Sequence, residues 1–583
     1  MLSAMRTHFS YRLYDGLIFT LVVAFFLLAP LPIFAYDDAY VYFNYARNFA
    51  EGRPFAYDPR NIPSEGFTSL LFMLLLVPAE LLRLNPILAS SLINILALSL
   101  AIVWLGQTVR AVGLLSERAA VLFTVLLAVL LIRDESIRLL IFSGFEAVLG
   151  ILCAAGIVIS AARALDDQLS SGVRRHWLSV FFVMTSLAHL VRPEYLLIGA
   201  LGGALLLWRS PDRVALLRRT AIFVLVMAGY YLLKLAIFGD LFPTGFYRKV
   251  RASELGSEYV DEWLQDYGGW FLTSSAVFMA LMILTPLRHK FWIGLLAASA
   301  ASIVIFYTQT TPLAGVFHRF LVVPIWALYA IFSLGIAYMA FHLSRRLSAA
   351  KPIERVAKQQ WLKNLALPTV LIALPALLMP SDLSLMVEGA RAQGIFGLAK
   401  RARDAMNGNP YIQLGTYWRE QLNNPATVMV AHVDAGALPY ALGSRFLDLQ
   451  GLTEPPIAHM FGTLNTPEAI QSYIEYVLRH EPDVVFLWSM HVPNLESTWH
   501  SYYDLHSPFL DRLPVALFEA YQRYGLVYGC SIELSWLRLH LLIRRQDGAQ
   551  FSGLSQVFCS HSSARRFAEG LTVVARDGQV YFP

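Results

Sequence analysis

The chain reads GLIFTLVVAFFLLAP at residues 16–30 and YDDAYVYFNYARN at residues 36–48, so an apolar run is followed by two carboxylates and an aromatic-rich segment. A membrane-crossing helix needs about 20 apolar residues. Arg6 and Arg12 precede the run, and no small-residue cleavage site follows it. We therefore predict a retained first membrane span with the acidic pair beyond its end.

The apolar character continues along most of the chain. Of its 583 residues, 56% are hydrophobic and 15% charged, with a mean hydropathy of +0.52, whereas soluble proteins carry about 25% charged residues. Charges are sparse up to about residue 380 and ordinary thereafter. This contrast predicts a membrane domain over residues 1–380 and a soluble domain over residues 381–583.

Apolar runs that can cross a membrane recur along the first domain. They lie near residues 15–35, 88–109, 118–132, 146–162, 178–191, 195–208, 220–238, 270–286, 291–307, 321–342 and 364–379. If the N-terminus is cytoplasmic and residues 67–82 do not cross fully, every strongly basic loop falls on the cytoplasmic side, as the positive-inside rule requires. We therefore predict about eleven crossings, a re-entrant or interfacial segment at 67–82, and an extracytoplasmic C-terminal domain.

Ionisable residues gather in the predicted outward loops, where they are costly and usually functional. Asp37 and Asp38 stand where the N-terminus of a helix favours anions. These residues alone are equally typical of a capped interfacial helix with an aromatic belt. Glu65, at the entrance to the segment 67–82, is harder to explain as a solvated charge.

Further motifs follow the first loop in a fixed order: Ser143-Gly144-Phe145-Glu146, Arg192-Pro193-Glu194, residues 239–244 (GDLFPT), His318-Arg319-Phe320-Leu321, residues 434–440 (DAGALPY) and residues 448–453 (DLQGLT). Together with the first loop, this set closely resembles the bacterial polytopic glycosyltransferases of the GT-C superfamily. The nearest branch is that of the cell-wall and pilin arabinofuranosyltransferases. Thr244 stands where that branch usually has Asn, which leaves the sub-branch and the sugar open.

The resemblance implies a GT-C-like helical membrane fold and a donor that carries its sugar on a polyprenyl phosphate. It also implies a carboxylate base in the first outward loop. We assign this role to Asp37 first, with Asp38 as the second choice or an orienting partner. The chemistry agrees, because a sugar hydroxyl becomes a good nucleophile when a positioned carboxylate accepts its proton.

The departing lipid phosphate needs cationic groups near the outer interface. Arg319 and His318 are the first candidates, and Arg248 and Lys249 are the second, although the latter two suit lipid headgroups equally well. Arginine binds phosphate oxygens in pairs. We expect Arg319 to share an extracytoplasmic pocket with the acidic pair.

Contacts to the acceptor or the sugar are assigned to four residues: Tyr40, Glu65, Glu146 and Asp434. Glu146 is equally well explained as a charge favoured by a helix N-terminus. Arg192 and Glu194 are equally well explained as an ion pair with each other.

The C-terminal domain shows strand-like runs near residues 427–431, 446–449 and 483–488, with a helical stretch at 467–480, which predicts an α/β layer. No glycine-rich phosphate loop occurs in the sequence, which fits a lipid-linked donor better than a nucleotide sugar. The histidines lack metal-ligand spacing, so we expect no metal site and no cofactor, with a divalent ion left open. Whether Cys530 and Cys559 pair also stays open.

The leading hypothesis is an inverting glycosyltransferase of the bacterial inner membrane, with a cytoplasmic N-terminus and a periplasmic C-terminal domain. Its first-guess sugar is arabinofuranose, its acceptor a glycan or a pilin-type protein, and nucleic acid is no partner. The alternative is a transporter or flippase of lipid-linked sugars. A membrane anchor that displays a binding domain would not need so many spans.

Overall fold

The computed structural model describes residues 2–210, 212–249, 254–310, 315–348, 397–461, 466–490, 526–534, 537–544, 564–565, 574–576 and 579–581. They form two compact units. The helical unit comprises Met1–Ala35, Thr68–Lys234 and Lys249–Asp404. The mixed unit comprises Tyr36–Phe67, Leu235–Arg248 and Ala405–Pro583.

The helices, in chain order, are α1 (Leu2–Leu28), α2 (Asp37–Ala50), α3 (Leu70–Leu81), α4 (Pro86–Ala111), α5 (Glu117–Arg133), α6 (Glu135–Phe142), α7 (Ala147–Ala164), α8 (Ser171–Val191), α9 (Leu196–Arg209), α10 (Arg213–Phe238), α11 (Thr244–Lys249), α12 (Glu254–Leu284), α13 (Leu287–Thr308), α14 (Val322–Ser348), α15 (Gly397–Gly408), α16 (Pro410–Gln421), α17 (Ala437–Leu442), α18 (Pro455–Phe461) and α19 (Pro467–Arg479).

Six helices among the described residues are long and apolar enough to cross a membrane, namely α4, α7, α10 and the larger parts of α12, α13 and α14. The chain is therefore a polytopic membrane protein. The predicted runs in α1, α5, α8 and α9 are also helical. The run at 364–379 lies outside the described residues, so the count of about eleven crossings stays a prediction.

Helix α3 occupies the ambiguous segment 67–82. It has 12 residues, which makes it about 18 Å long, well short of a hydrocarbon core of roughly 30 Å. Its length fits a segment that does not cross fully.

Small residues let α7 approach its neighbours closely. A Cβ on Gly150 would lie 2.6 Å from the ring of Tyr195, and one on Gly156 would lie 2.4 Å from the side chain of Met184. Such close contacts replace the hydrophobic driving force that helices lack inside a lipid bilayer.

Asp134 ties three parts of the helical unit together. Its carboxylate caps α6 by accepting a hydrogen bond from Ile137 N–H at 2.8 Å. It also accepts hydrogen bonds from the hydroxyls of Tyr267 on α12 and Tyr329 on α14, each at 2.8 Å. Because the carboxylate is buried, these three bonds fix the segment that leads into residues 143–146.

Replacing Asp134 with Ala should lower the free energy of unfolding by on the order of 3 kcal/mol, since two buried tyrosine hydroxyls and a helix N–H lose their acceptor. Thermal unfolding of the detergent-purified protein measures this loss. Asp134→Asn, which keeps an acceptor oxygen, should lose less. Asp167→Ala, at an exposed aspartate, is the control, and equal melting temperatures for Asp134→Ala and this control would contradict the assignment.

The strands all belong to the mixed unit: β1 (Met429–His432), β2 (Arg445–Asp448), β3 (Val484–Met490), β4 (Leu526–Leu534), β5 (Leu537–Arg544), β6 (Ala564–Arg565), β7 (Val574–Arg576) and β8 (Gln579–Tyr581). Six of them form a sheet in the order β2-β1-β3-β5-β4-β6, while β7 pairs with β8. The β2-β1-β3 half is parallel, with Val430 opposite both Phe446 and Val484. The other half is antiparallel.

The first loop of the chain folds as part of this unit. The carboxylate of Asp58 accepts a hydrogen bond from Phe446 N–H at 2.6 Å. Arg60 donates to the carbonyl of Phe446 and pairs with Asp58 at 2.7 Å and Glu454 at 2.9 Å. These contacts join the first loop to the sheet. The predicted boundary between the membrane domain and the soluble domain, at residue 380, came from composition and stays a prediction.

Candidate functional site

Asp37, the first residue of α2, contacts the start of α17 within the mixed unit. Its Oδ1 atom accepts a hydrogen bond from Ala437 N–H at 2.8 Å. A Cβ on Gly436 would lie 1.9 Å from Asp37 Oδ2, so only glycine leaves room for the carboxylate. The motif of residues 434–440 therefore places a backbone donor against the first acidic residue of the first loop.

Asp434 brings a second carboxyl group to the same cluster. Its Oδ2 atom accepts a hydrogen bond from the hydroxyl of Tyr411 at 3.4 Å and lies 3.8 Å from His432 Nε2. His432 Nδ1 lies 3.2 Å from the carbonyl oxygen of Phe486, which requires the proton on Nδ1. The lone pair of Nε2 therefore faces the carboxyl group of Asp434.

Burial sets the protonation of this cluster. It raises the pKa of Asp37 to about 7, against the lowering effect of the Ala437 N–H bond and with a further rise from the charge of Asp38. Burial and the charges of Asp37 and Asp38 raise the pKa of Asp434 well above its usual range. Burial lowers the pKa of His432 to about 4. At neutral pH the cluster therefore holds a neutral imidazole and an Asp37 near its midpoint, beside an Asp434 carboxyl group whose pKa is raised.

Aromatic residues and an arginine fix α2 against α17. The ring of Tyr40 is buried and lies 5.5 Å from the ring of Tyr440. The guanidinium of Arg47 lies 4.2 Å from the centroid of the Tyr440 ring and donates to the Tyr440 carbonyl at 2.9 Å. Tyr40, predicted as a sugar contact, is thus part of the packing that positions Asp37.

Three of the sequence motifs meet in the mixed unit. The hydroxyl of Thr244 donates to the Glu65 carbonyl at 2.9 Å and also to the Leu452 carbonyl. A Cβ on Gly66 would lie 2.8 Å from the Leu452 carbonyl oxygen. Glu65 itself is buried. Asp448 closes the turn of the third motif by accepting two backbone hydrogen bonds at 2.8 Å.

A second polar cluster lies in the helical unit around Arg192. This buried guanidinium donates to Glu194 at 2.5 Å, to Glu146 at 2.6 Å and to the hydroxyl of Tyr307 at 2.9 Å. The ion pair between Arg192 and Glu194 that the sequence left as one alternative is present, and Glu146 joins it. Two carboxylates around one guanidinium are balanced only in part, so further positive charge nearby is favourable.

Arg319 lies beside the same aromatic residues. The Arg319 guanidinium is 4.1 Å from the ring centroid of Phe145 and 4.8 Å from that of Phe320. The guanidinium of Arg192 lies 4.6 Å from the same Phe320 centroid. Phe317 and His318 both have a φ of 53°, a left-handed conformation that costs non-glycine residues on the order of 1–3 kcal/mol and is found mostly at functional sites. This strained turn comes directly before Arg319 in the chain.

His318, predicted with Arg319 as a phosphate contact, is a buried part of that turn. Its Nε2 atom lies 2.8 Å from the carboxylate of Asp266.

The predicted site residues thus fall into two groups. Asp37, Asp38, Tyr40, Glu65 and Asp434 belong to the mixed unit, and Glu146, His318 and Arg319 belong to the helical unit. Arg248 and Lys249 are the last two residues of α11, and the structure does not describe their side chains. The pocket shared by Arg319 and the acidic pair stays a prediction.

The sequence analysis missed Gly436, Asp58 and Arg60. The sequence shows the Asp-Ala-Gly motif at residues 434–436, but Asp37, which bonds to the next residue, Ala437, lies 400 residues away along the chain. Among the described residues, no group of three His, Cys, Asp or Glu side chains could hold a metal ion.

Comparison with solved structures shows what this arrangement is similar to. ArnT from Cupriavidus metallidurans bound to undecaprenyl phosphate aligns with a TM-score of 0.54 at 14% identity, over 92% of this chain and 99% of that chain. The apo state of the same protein aligns at 0.51 and 15% identity, over 92% and 98%. The archaeal oligosaccharyltransferase AglB from Archaeoglobus fulgidus, in complex with an inhibitory peptide and a dolichol-phosphate, aligns at 0.47 and 14% identity, over 91% and 74%.

At the level of sequence, a family model described as a domain of unknown function, DUF8728, matches residues 400–528. Comparison with curated proteins found no match. The likeness to the two ArnT structures shows that this polytopic membrane protein shares their fold, which agrees with the GT-C-like fold expected from the motif resemblance. The arabinofuranosyltransferase branch stays a prediction.

Replacing Asp37 with Asn should stabilise the protein at high pH. The folded-state pKa of about 7 exceeds the unfolded value of about 3.9, so the folded protein binds more protons and stability falls as pH rises through this window. Asn keeps an oxygen for the Ala437 N–H bond and removes the charge. We expect a gain on the order of 1–2 kcal/mol at pH 8, after allowance for solvent screening, and little difference at pH 4.

Thermal unfolding across pH 4 to 8 measures this effect. The matched control is Asp404→Asn, at an exposed aspartate, which should not change the pH dependence. A destabilised Asp37→Asn variant at pH 8, or a gain that is the same at all pH values, would rule out the raised pKa.

Proposed function

We propose that the protein is an inverting glycosyltransferase that moves a sugar from a polyprenyl-phosphate donor to an extracytoplasmic glycan or protein. The observation that carries this proposal is the carboxylate of Asp37, held against Ala437 N–H and raised in pKa to about 7. General bases work best when their pKa lies near the operating pH. The GT-C fold and the neighbour that binds undecaprenyl phosphate support the same reaction class.

In this reaction the acceptor hydroxyl gives its proton to the Asp37 carboxylate as its oxygen bonds to the anomeric carbon. The bond from that carbon to the phosphate oxygen breaks on the opposite face, and the polyprenyl phosphate leaves with the electron pair. Configuration at the anomeric carbon is therefore inverted. Asp38 helps to orient the acceptor or keeps the pKa of Asp37 high.

The donor phosphate is assigned to Arg319 and His318, with Arg248 and Lys249 as further cations. The rings of Phe145 and Phe320 fix the plane of the Arg319 guanidinium. A fixed, permanently charged fork suits paired phosphate oxygens. Glu65 and Glu146 are assigned to the acceptor or the sugar.

The finer assignments rest on the motif resemblance. The sugar is arabinofuranose and the acceptor a cell-envelope glycan or a pilin-type protein. The N-terminus is cytoplasmic and residues 381–583 are periplasmic, in a bacterial inner membrane. The reaction needs no cofactor besides the lipid-linked donor, and a divalent ion is left open.

Asp37→Asn should lower the rate of sugar transfer by about 10²- to 10⁴-fold, because the acceptor loses its proton acceptor, while binding of the donor lipid is unchanged. The donor in the assay is decaprenyl-phosphate arabinofuranose with a label on the sugar. The acceptor is a cell-envelope fraction from the bacterium that encodes the protein. The wild-type rate should fall as pH drops below about 7.

Asp404→Asn is the control for both readouts. Transfer by Asp37→Asn at the wild-type rate, together with unimpaired passage of the lipid across proteoliposomes, would instead identify a flippase. Donors with other sugars, run in parallel, test the arabinofuranose assignment without affecting the test of Asp37.

A further inference from the structure

A polar cavity of about 270 Å³ lies inside the mixed unit. One wall is the second half of α2 with the turn that follows it, and the other is the segment from Pro439 to Phe446 with the end of α16. Three arginines line it, Arg47, Arg53 and Arg419, and we call it the arginine cavity. None of the residues assigned to the transfer reaction lines it.

The arginine cavity carries excess positive charge. Glu51 pairs with Arg53 at 2.5 Å, and Arg60 is shared between Asp58 at 2.7 Å and Glu454 at 2.9 Å. Arg47 bonds only to neutral oxygens, those of Tyr440 and Asn44. Among the described residues neither Arg47 nor Arg419 has a carboxylate partner, so two guanidinium groups favour an anion here.

Unused hydrogen-bonding groups line the same walls. The Oγ atom of Ser444 is buried and has no hydrogen-bond partner within the described part of the chain, and the residue is 2% exposed. The Nε atom of Arg53 is also buried without a partner there. Buried donors in native structures nearly always serve a partner, and a hydroxyl beside guanidinium groups suits an oxygen-rich anion.

The cavity lies at a defined distance from the proposed base. Arg47 and Asp37 are both on α2, ten residues apart, which corresponds to about 15 Å along the helix axis. A molecule that reaches both groups must therefore be longer than one sugar ring. Its anionic group would be held away from the hydroxyl that reacts.

We propose that the arginine cavity binds an anionic substituent, a carboxylate or a phosphate, on the acceptor glycan. This inference rests on the proposed function, and it takes the glycan from the two acceptor classes proposed there. The side-chain amides of Asn44 and Asn48 are occupied by Arg47, Arg53 and backbone carbonyls, so the arginines supply the recognition, and a glutamate probe distinguishes a glycan from an acidic peptide.

The test measures binding of small probes to the full-length protein in detergent, without donor, by saturation-transfer NMR and calorimetry. The probes are glucuronate, glucose 6-phosphate, glucose and glutamate. Glucuronate or glucose 6-phosphate should bind at least roughly tenfold more tightly than glucose, and binding should weaken as salt is added. The better of the two identifies the anion as carboxylate or phosphate.

Arg419→Gln and Ser444→Ala should each weaken binding of the better acidic sugar, the former by roughly tenfold, and Arg419→Glu should abolish its advantage over glucose. Arg479→Gln, at an exposed arginine of α19 outside the cavity, should bind like wild type. Arg419 is exposed, so its variants are expected to fold, and their melting temperatures check this.

Equal binding of acidic and neutral sugars, or no effect of the Arg419 variants, would overturn the inference. Glutamate binding as tightly as the acidic sugars would overturn the choice of a glycan. Asp37→Asn should bind the probes like wild type. Failure of the transfer assay with intact, Arg419-dependent probe binding would therefore count against the reaction and not against the cavity.

Discussion

The carboxylate of Asp37 accepts a hydrogen bond from the backbone of Ala437 across a contact that only a glycine at residue 436 permits. This contact joins residues some 400 positions apart into one cluster and partly shields the carboxylate from bulk water. Desolvation raises the pKa of Asp37, and the charge of Asp38 raises it further. The charges of Asp37 and Asp38 in turn raise the pKa of Asp434. The rest of the mixed unit keeps this cluster together: Asp58 and Arg60 fasten the first loop to β2, and Thr244 fastens the segment before α11 to Glu65 and Leu452.

Burying acidic groups side by side is unfavourable for the fold. Burial of a carboxylate without a cationic partner costs stability, and within the described part of the chain Asp37 accepts a hydrogen bond from one backbone N–H. The same arrangement is favourable for a general base, because it keeps a carboxylate near its midpoint at neutral pH. In the helical unit, by contrast, the buried carboxylates Glu146 and Glu194 have a cationic partner, Arg192. The unusual feature there is the left-handed backbone at Phe317 and His318, directly before Arg319.

Local signals in the sequence predicted the local structure. Apolar length predicted the helices, and the Asp-Asp pair marked the first turn of α2. The placement of the basic loops predicted that 67–82 does not cross fully, and the 12-residue length of α3 fits that prediction. An ion pair between the neighbours Arg192 and Glu194 was one of the alternatives from the sequence, and it is present.

Long-range partners could not be predicted in this way. Nothing near Asp37 points to Gly436, and nothing near Asp58 and Arg60 points to the backbone of Phe446. The first loop was therefore assigned with the membrane spans that flank it, although its hydrogen bonds connect it to the sheet. The arginine cavity also depends on such contacts, because its walls come from α2, α16 and the end of α17.

The protonation of Asp37 is the quantity on which the account depends most directly. Infrared difference spectroscopy of wild type against Asp37→Asn, titrated in proteoliposomes, isolates the carbonyl band of the protonated Asp37 side chain. The account predicts that this band disappears with a midpoint near pH 7. A midpoint near pH 4, the value of an ordinary solvated aspartate, would show that the carboxylate is not held apart from water, and would contradict its role as a base tuned by burial.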